Sequence, residues 1–351
     1  MRVLEVIQEL RTGGAERVLV SVAAGARAAG HEVAVAAAPG ELERELEAER
    51  FPLPLVARRP WRLVEAALAV RRAVGAWRPE LVHAHNPAMA VAVALALVGR
   101  GRPRALVSAQ GTAEEDWRAA TRLLRLARLP VVACGPGVAA ALEERGIAPV
   151  ATISNAVGPA PPPADRQALE REWSLPPGTR LVVAVGRLVE QKHHTLAIRA
   201  LAGVPDATLV LVGEGHLCGE LERLAAELGL SDRVVLAGLR GDARAIMGAA
   251  DAVVLPSHWE GLPLTGLEAL ASGTPLVATA VRGSRELLRD GEDALLVPPG
   301  DTEAFSEALR RVLDDRELAS RLAAGGLRAA AAASEEAMVA AYLELYERIV
   351  A

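Results

Sequence analysis

The chain has 351 residues, of which 51% are hydrophobic and 24% charged, and its formal net charge is −5. This length predicts two domains, each large enough to bury its own core. The longest apolar run, 89–99, is far shorter than the roughly 20 residues of a membrane-spanning helix, which argues against a helical membrane protein.

Cysteine usage and charge suggest where the protein works. The two cysteines are isolated, as is typical of a reduced compartment. Arg2 leads directly into a predicted strand, so we expect no signal peptide and a cytoplasmic protein. Residues 1–160 carry a net charge of +4 and the remainder −9. Only the first part is therefore expected to face an anionic partner.

The first predicted strand, 2–8, is followed by a turn at Gly13 and Gly14 and a helix over 15–29. Glycines between a strand and a helix let the backbone approach a ligand, and the helix start favours phosphate. The dinucleotide fingerprint G-x-G-x-x-G is absent from this turn. A plain strand-to-helix turn is the alternative.

Strands and helices then alternate, which predicts a parallel sheet with ligands at the carboxyl ends of its strands. Of the two histidines at one strand end, we expect one to be buried and His85, with Asn86, to face the cleft. The predicted strands are 32–37, 53–56, 81–84 and 105–109, and the helices are 41–50, 61–77 and 114–129.

The helix over 114–129 carries a basic stripe beside Trp117. Such a stripe is either a solvated helix face or a contact for an anionic membrane or acceptor. We therefore consider a peripheral contact of the N-terminal domain with the inner membrane face, and we expect no nucleic-acid partner. The arginines of the stripe are Arg118, Arg122, Arg125 and Arg128.

After a proline-rich linker over 155–163, a second alternation begins at 181. Gly186 and Arg187 end its first strand, and Lys192 opens a predicted helix over 193–200, so both cations can converge on one anion. Lys192 is the only lysine among 39 basic residues. Lysine and arginine are not interchangeable at a phosphate, which suggests a specific role for it.

The segment 257–273, SHWEGLPLTGLEALASG, follows a predicted strand over 252–255 and contains a predicted helix over 263–271. Unpaired backbone N–H groups at the helix start can hold an anion. Glu260 lies over this start and Glu268 lies one turn beyond Leu264, so both can accept bonds from hydroxyls. The pattern predicts a nucleotide-sugar site; two solvated glutamates are the alternative.

Motifs along nearly the whole chain resemble family 4 glycosyltransferases, which are retaining enzymes with the GT-B fold. The two glutamates match that family's E-x7-E pattern. The motifs are GGAERVL (13–19), VGRLVEQK (185–192), LVLVGEG (209–215), VVLAGLRGD (234–242), AADAVVLPSHWEGLPLTGLEALASGTPLVAT (249–279) and DGEDALLVPPGD (290–301).

The resemblance implies two Rossmann-like, doubly wound domains that face each other across a cleft. Residues 1–157 would form the acceptor-side domain and 158–333 the nucleotide-sugar donor domain. The C-terminal helix, 334–351, would cross back to the first domain.

The resemblance also implies roles for individual residues. Arg187 and Lys192 would bind the donor diphosphate, and Glu260 would hold sugar hydroxyls. Gln110 stands where the family commonly has a histidine that contacts the sugar; an amide can position a sugar but cannot carry a proton at neutral pH. His85 is a second acceptor-side candidate. The donor-binding residues would be Gly13, Gly14, Gly186, Gly215, Leu239, Arg240, Gly261, Leu262, Pro263, Leu264, Thr265 and Glu268.

The implied function is transfer, with retention, of a hexose from a nucleotide diphosphate sugar to a hydroxyl acceptor in polysaccharide or lipid-linked glycan assembly. UDP is favoured as the nucleotide and GDP is next. No D-x-D motif is present, so we expect neither a metal nor a cofactor. The alternatives are another GT-B enzyme, such as a nucleotide-sugar epimerase, and a catalytically silent binding partner. Gln110, Ala156, His193 and Arg282 depart from the family pattern and motivate the silent partner.

Overall fold

The computed structural model describes residues 1–11, 13–56, 60–99, 101, 103–111 and 116–351. These residues form two compact units, 1–156 with 335–351, and 157–334. Each unit has its own parallel sheet and its own buried hydrophobic clusters. The prediction of two Rossmann-like α/β domains is confirmed.

The first unit contains a seven-stranded parallel sheet of order β3-β2-β1-β4-β5-β6-β7. Successive residues of β2 enter different clusters: Ala34 and Ala36 pack on one face and Val35 and Ala37 on the other. Both faces are therefore covered, as apolar parallel strands require. The strands are β1 Arg2–Glu9, β2 Glu32–Ala38, β3 Glu49–Pro52, β4 Leu81–Ala84, β5 Arg104–Ala109, β6 Val131–Ala133 and β7 Ala151–Thr152.

The helices of the first unit follow the strands in alternation. Three arginines of the stripe lie on α4 and Arg128 is the C-cap residue that follows it; all four are exposed. The predicted start of that helix at 114 lies outside the described residues. The helices are α1 Gly14–Ala28, α2 Pro60–Trp77, α3 Pro87–Ala96, α4 Trp117–Ala127 and α5 Pro136–Glu143.

The segment between β2 and α2 differs from the prediction. The predicted helix over 41–50 is only a 3₁₀ helix, Glu41–Glu45, and the strand lies at Glu49–Pro52 instead of 53–56. This strand pairs with β2 from Ala34 opposite Glu49 to Ala37 opposite Pro52. Backbone pairing at the sheet edge therefore outweighs the weak helical preference of this charged segment.

The second unit contains a six-stranded parallel sheet of order β10-β9-β8-β11-β12-β13. Its strands are β8 Arg180–Val185, β9 Ala207–Val212, β10 Val234–Gly238, β11 Ala252–Leu255, β12 Leu276–Thr279 and β13 Leu295–Val297. Its helices are α6 Arg166–Glu172, α7 His194–Leu201, α8 Cys218–Glu227, α9 Ala243–Gly248, α10 Leu264–Ser272, α11 Arg282–Leu287, α12 Thr302–Asp314 and α13 Arg316–Ala332.

The last helix, α14 Glu335–Val350, belongs to the first unit and packs on α1. Its buried face includes Tyr342 and Tyr346, both with 0% exposure. Within the described residues, no helix is both long and apolar enough to span a bilayer.

Candidate functional site

Glycine loops at the carboxyl edge of the second sheet are packed backbone to backbone. Gly186, after β8, has φ +156°, and Gly213, after β9, has φ +149°. A Cβ on Gly213 would lie 2.0 Å from the carbonyl oxygen of Gly186, and one on Gly215 would lie 2.1 Å from that of Leu188. Side chains are thus excluded at positions 213 and 215, because each loop packs directly on the backbone of the next.

A lysine–carboxylate pair lies in this unit. The Lys192 Nζ is 2.6 Å from the Glu260 Oε1, and the two side chains are 14% and 5% exposed. The Ser257 hydroxyl donates to the same oxygen at 2.6 Å, and the Thr279 hydroxyl donates to the Ser257 carbonyl at 2.6 Å. The carboxylate is therefore held in one position by a cation and a hydroxyl.

Arg187 lies on the same loop as Lys192 but is exposed. Its guanidinium Nη2 is 3.4 Å from the Gln191 Oε1, and the Gln191 amide donates to the Trp259 carbonyl at 3.2 Å. Gln191 thus links the arginine to the segment that carries Glu260. The sequence reasoning gave this glutamine no role.

The segment after Glu260 leads into α10 as predicted. Pro263 is the N-cap residue, and no side chain caps the first turn, which begins at Leu264 and Thr265. Gly261 and Leu262 form the approach to the helix. A Cβ on Gly283 would lie 2.2 Å from the Gly261 carbonyl oxygen, so the packing requires glycine at position 283. The departure from the family pattern at Arg282 does not affect this glycine.

Glu268 lies on α10, where its Oε1 is 3.9 Å from the Nε of Arg244. The Nη2 of Arg244 donates to the carbonyl oxygens of Gly158 and Pro159 at 2.5 and 3.0 Å. Arg244 therefore connects the predicted donor-binding glutamate to the linker segment. Nothing in the sequence pattern distinguished this arginine from its neighbours.

Leu239 and Arg240 follow β10 and differ in what they can offer a nucleotide base. Leu239 is 42% exposed. The Arg240 guanidinium donates to both oxygens of Asp242 at 2.9 Å and also to Glu172. The hydrogen bonds to Asp242 and Glu172 raise the pKa of Arg240. A base contact from this side chain would have to replace existing bonds, so Leu239 is the better placed of the two.

Two histidines pack against each other beside the Lys192–Glu260 pair. The helix predicted over 193–200 begins instead at His194, because His193 is in the left-handed region with φ +46°. Its ring stacks on His258, with centroids 3.6 Å apart and an interplanar angle of 17°. Partial burial and then the neighbouring His258 lower the pKa of His193 to about 4, so its ring is neutral near pH 7.

In the first unit, Gly13 caps α1 and Gly14 is its first residue. Gln110 follows β5, and its Oε1 lies 3.4 Å from the Nδ2 of Asn155. Asn155 is 3% exposed. Within the described part of the chain, the buried Gln110 Nε2 and Asn155 Oδ1 have no hydrogen-bond partner. The pair thus presents one unused donor and one unused acceptor, and Asn155, which the sequence pattern places only in the linker, is a candidate site residue.

We expected one of the two histidines to be buried and His85 to face the cleft, but His83 and His85 both have 0% exposure. The His85 Nε2 bonds to the Oε2 of buried Glu5 at 2.7 Å. Asn86 instead caps α3 by accepting from the Met89 N–H. A buried carboxylate needs donors, and that requirement draws His85 inward. Its proposed role toward an acceptor stays a prediction.

A buried polar cluster continues from Glu5 to α14. The Tyr346 hydroxyl donates to the Glu5 Oε1 at 3.0 Å and lies 2.6 Å from the His83 Nδ1. Among the described residues, Glu5, His83 and His85 are the group whose possible metal ligands lie within 4.8 Å of one another. These atoms already bond to each other and to Tyr346. The prediction of a metal-free diphosphate site concerns the other unit and stays a prediction.

Solved structures show which architecture this arrangement represents. Anabaena HepE, in a crystal structure with UDP-glucose, superposes with a TM-score of 0.86 over 99% of this chain and 100% of that chain, at 22% identity. At this identity the likeness shows the fold alone, which is the GT-B fold.

Family models match consecutive parts of the chain. Glycosyltransferase Family 4 matches residues 12–160, and Glycosyl transferases group 1 matches residues 165–328. The chain belongs to the family 4 glycosyltransferases.

Curated relatives match over part of their length. Lipopolysaccharide core biosynthesis glycosyltransferase LpsE of Rhizobium meliloti is 36% identical over 64% of this chain and 66% of its own length. The UDP-Gal:alpha-D-GlcNAc-diphosphoundecaprenol alpha-1,3-galactosyltransferase of Escherichia coli is 36% identical over 38% of this chain and 36% of its own length. The matches thus leave about a third or more of each relative uncovered.

Proposed function

We propose that the protein is a retaining, metal-independent glycosyltransferase that moves a hexose from a nucleotide diphosphate sugar to a hydroxyl acceptor. The observation that carries the proposal is the Lys192–Glu260 pair at 2.6 Å, next to the side-chain-free edge formed by Gly186 and Gly213. A cation beside a fixed carboxylate suits a ligand with phosphates next to sugar hydroxyls.

The second unit would supply the electrostatic stabilisation of the departing diphosphate. The Lys192 ammonium has three donors, so it can keep its bond to Glu260 and also bind a phosphate oxygen. Arg187, which is exposed, and the backbone N–H groups at the start of α10 would bind the remaining charge. These groups perform the role that a divalent cation performs elsewhere.

In the proposed reaction, the acceptor oxygen bonds to the anomeric carbon on the face that the diphosphate leaves. The bond from the anomeric carbon to the diphosphate oxygen breaks, and the diphosphate takes the acceptor proton. Glu260 holds sugar hydroxyls and Glu268 holds the ribose. The 3.9 Å contact from Glu268 to Arg244 favours an ionised carboxylate that accepts hydrogen bonds.

The amides of Gln110 and Asn155 support a hydroxyl-bearing substrate at the first unit. A hydroxyl both donates and accepts, which matches the unused Asn155 Oδ1 and the unused Gln110 Nε2. A buried polar atom without a hydrogen-bond partner destabilises the protein, and a bound hydroxyl would remove that penalty. We therefore infer that this pair positions a hydroxyl of the sugar or the acceptor.

UDP is the favoured nucleotide and GDP is next, with glycan assembly as the setting. The names of the galactosyltransferase relative and of the HepE complex both include UDP, and LpsE is named for lipopolysaccharide core biosynthesis. The exposed arginines of α4 support a peripheral contact with anionic lipid at the cytoplasmic membrane face.

The nucleotide is tested by thermal stabilisation with UDP, GDP, ADP and dTDP in the presence of a chelator. A ligand at 100 times its dissociation constant adds roughly 2.7 kcal/mol. We expect a rise in melting temperature with UDP. Stabilisation only after magnesium or manganese is added would disprove metal independence. No response in either condition would favour a catalytically silent protein.

The stereochemical outcome is tested by NMR of the product. The donor for this reaction is a sugar attached to the nucleotide that stabilises the protein in the thermal experiment. We expect the anomeric configuration of the donor to be kept. Inversion would rule out the front-face reaction. The donor is also incubated without an acceptor. If the sugar is then converted to another sugar while it stays attached to its nucleotide, the protein is an epimerase.

A further inference from the structure

Two segments that carry the predicted catalytic side chains are joined at three successive positions. The His258 N–H donates to the Gln191 carbonyl at 2.8 Å, and the Gln191 side chain donates to the Trp259 carbonyl at 3.2 Å. The Lys192 ammonium bonds to Glu260 at 2.6 Å. The ring stack between residues 193 and 258 completes this row of contacts.

His193 takes an unusual backbone conformation to make that stack. It lies between the 3₁₀ turn Glu190–Lys192 and α7, with φ +46° and ψ +43°. Glycine and asparagine adopt this left-handed region at lower cost than histidine does. A strained residue persists where its surroundings compensate, and the contacts of its ring with His258 and with the backbone of Pro256 are the compensation visible here.

The stack also determines where its chain neighbours point. Residue 193 sets the direction of the chain after Lys192, and His258 is two residues before Glu260. A ring separation of 3.6 Å is direct contact, so neither segment can shift without separating the rings. Both rings lie partly in solvent, since His193 is half-buried and His258 exposed, so they are not part of the hydrophobic core.

We propose that His193 and His258 are positioning residues that hold Lys192 in register with Glu260, so that the ammonium is aligned for the second phosphate of a nucleoside diphosphate. The inference rests on the proposed function, because it takes Lys192 as a diphosphate ligand. It predicts that the stack contributes to the preference for a diphosphate over a monophosphate. Binding of the nucleoside itself should not depend on it.

The experiment compares dissociation constants for UDP and UMP, and for GDP and GMP, by calorimetry on the full-length chain. Lys192→Met defines how much of the diphosphate preference the ammonium supplies. We expect His193→Asn, which keeps a residue suited to the left-handed backbone but removes the stack, to reduce the preference about tenfold. Monophosphate affinity should stay within about twofold, which also shows that the variant is folded.

Two variants at His258 separate stacking from other effects. His258→Ala should match His193→Asn, and the double variant should lose no more than either single variant, because both remove one contact. His258→Phe keeps a flat ring and should retain the wild-type preference.

Three outcomes would overturn the proposal. An unchanged diphosphate preference in His193→Asn would show that the stack does not position Lys192. Losses that multiply in the double variant would show that the two rings act independently. If the wild-type chain binds neither diphosphate more tightly than its monophosphate, the proposed diphosphate site fails first, and the positioning role fails with it.

Discussion

Lys192 neutralises a nearly buried carboxylate and, in the proposed reaction, also binds the leaving group. We expect Lys192→Met to lower turnover about 100-fold, because removal of one electrostatic contact to developing charge costs a few kcal/mol. Steady-state rates of nucleotide release from the nucleotide-sugar measure the effect. Arg199→Met, an exposed cation on α7, is the matched control and should leave the rate within about twofold. Equal rates for both variants would contradict the role of Lys192.

Gly213 shows how closely the backbone is packed at the sheet edge. We expect Gly213→Ala to destabilise the protein by about 3 kcal/mol, since the new Cβ would lie 2.0 Å from the Gly186 oxygen and φ is +149°. Urea unfolding gives the free energy. Gly241→Ala is the control, because a Cβ there would meet nothing within 4 Å. A loss as small as that of the control would show that the loops can separate.

The role of a residue could be inferred from the sequence only where the residues next to it in the chain indicate that role. Lys192 and Glu260 were both identified, but their 2.6 Å bond joins positions 68 apart in sequence. Asn155 and Arg244 lacked a local signal, because their significance comes from Gln110 and Glu268 across the fold. The left-handed conformation of His193 was missed because histidine seldom adopts it.

Helix α14 is tied to the first sheet by a buried cluster whose ionisation depends on pH. Burial, and then the neighbouring His83, lower the pKa of His85 from 6.5 to about 4. The pKa of Glu5 is lowered from 4.5 to about 2: burial opposes the shift, and the charge and hydrogen bond of His83, followed by those of His85, outweigh it. Both groups therefore favour the folded state at neutral pH, and acid weakens both contributions.

The direction in which each group changes the free energy of unfolding follows from its pKa in the folded and in the unfolded chain. Below pH 6.5 the unfolded chain protonates His85 while the folded chain does not, so stability falls between about pH 6.5 and 4. From the histidine alone we expect a loss of about 3 kcal/mol over that range. The contribution of Glu5 is present above pH 4.5 and is lost as the pH falls toward 2.

Urea unfolding at a series of pH values tests this dependence. His85→Gln can still place an amide donor near Glu5 but does not titrate, so it should flatten the curve between pH 6.5 and 4. A His85→Gln curve parallel to that of the wild type would show that His85 is not the group responsible.

At the scale of elements, compact apolar strands were predicted well and the segment at the sheet edge was not. Strands β4 and β11 have the expected bounds, because each is a compact apolar run next to turn residues. The segment 41–52 was misassigned, because pairing with β2 is a long-range contact that local propensity cannot show. Tyr342 and Tyr346 lie one turn apart on the buried face of α14, and the sequence shows no sign of their polar partners on the sheet, Ser108 and Glu5.

The first unit needs the C-terminal helix, although that helix is separated from it in sequence by the whole second unit. We expect deletion of residues 335–351 to abolish slow hydrogen exchange in the first sheet, since Tyr342, Leu345 and Tyr346 would leave their buried sites. Peptides from residues 157–334 should keep their protection. Hydrogen exchange with mass spectrometry on the full-length and shortened chains measures both. Full protection of β1 and β4 in the shortened chain would contradict the expectation.

The second unit begins and ends at neighbouring points, because Val157 and Ser334 pair as an isolated parallel bridge. The two points at which the chain enters and leaves it are therefore side by side, and in topological terms the second unit is an insertion into the sequence of the first. A chimera with residues 157–334 taken from a relative of different nucleotide preference should adopt the preference of the graft, as measured by thermal stabilisation with UDP and GDP. Within such a family, nucleotide preference would then be exchanged by recombination at two adjacent positions while the first unit stays intact.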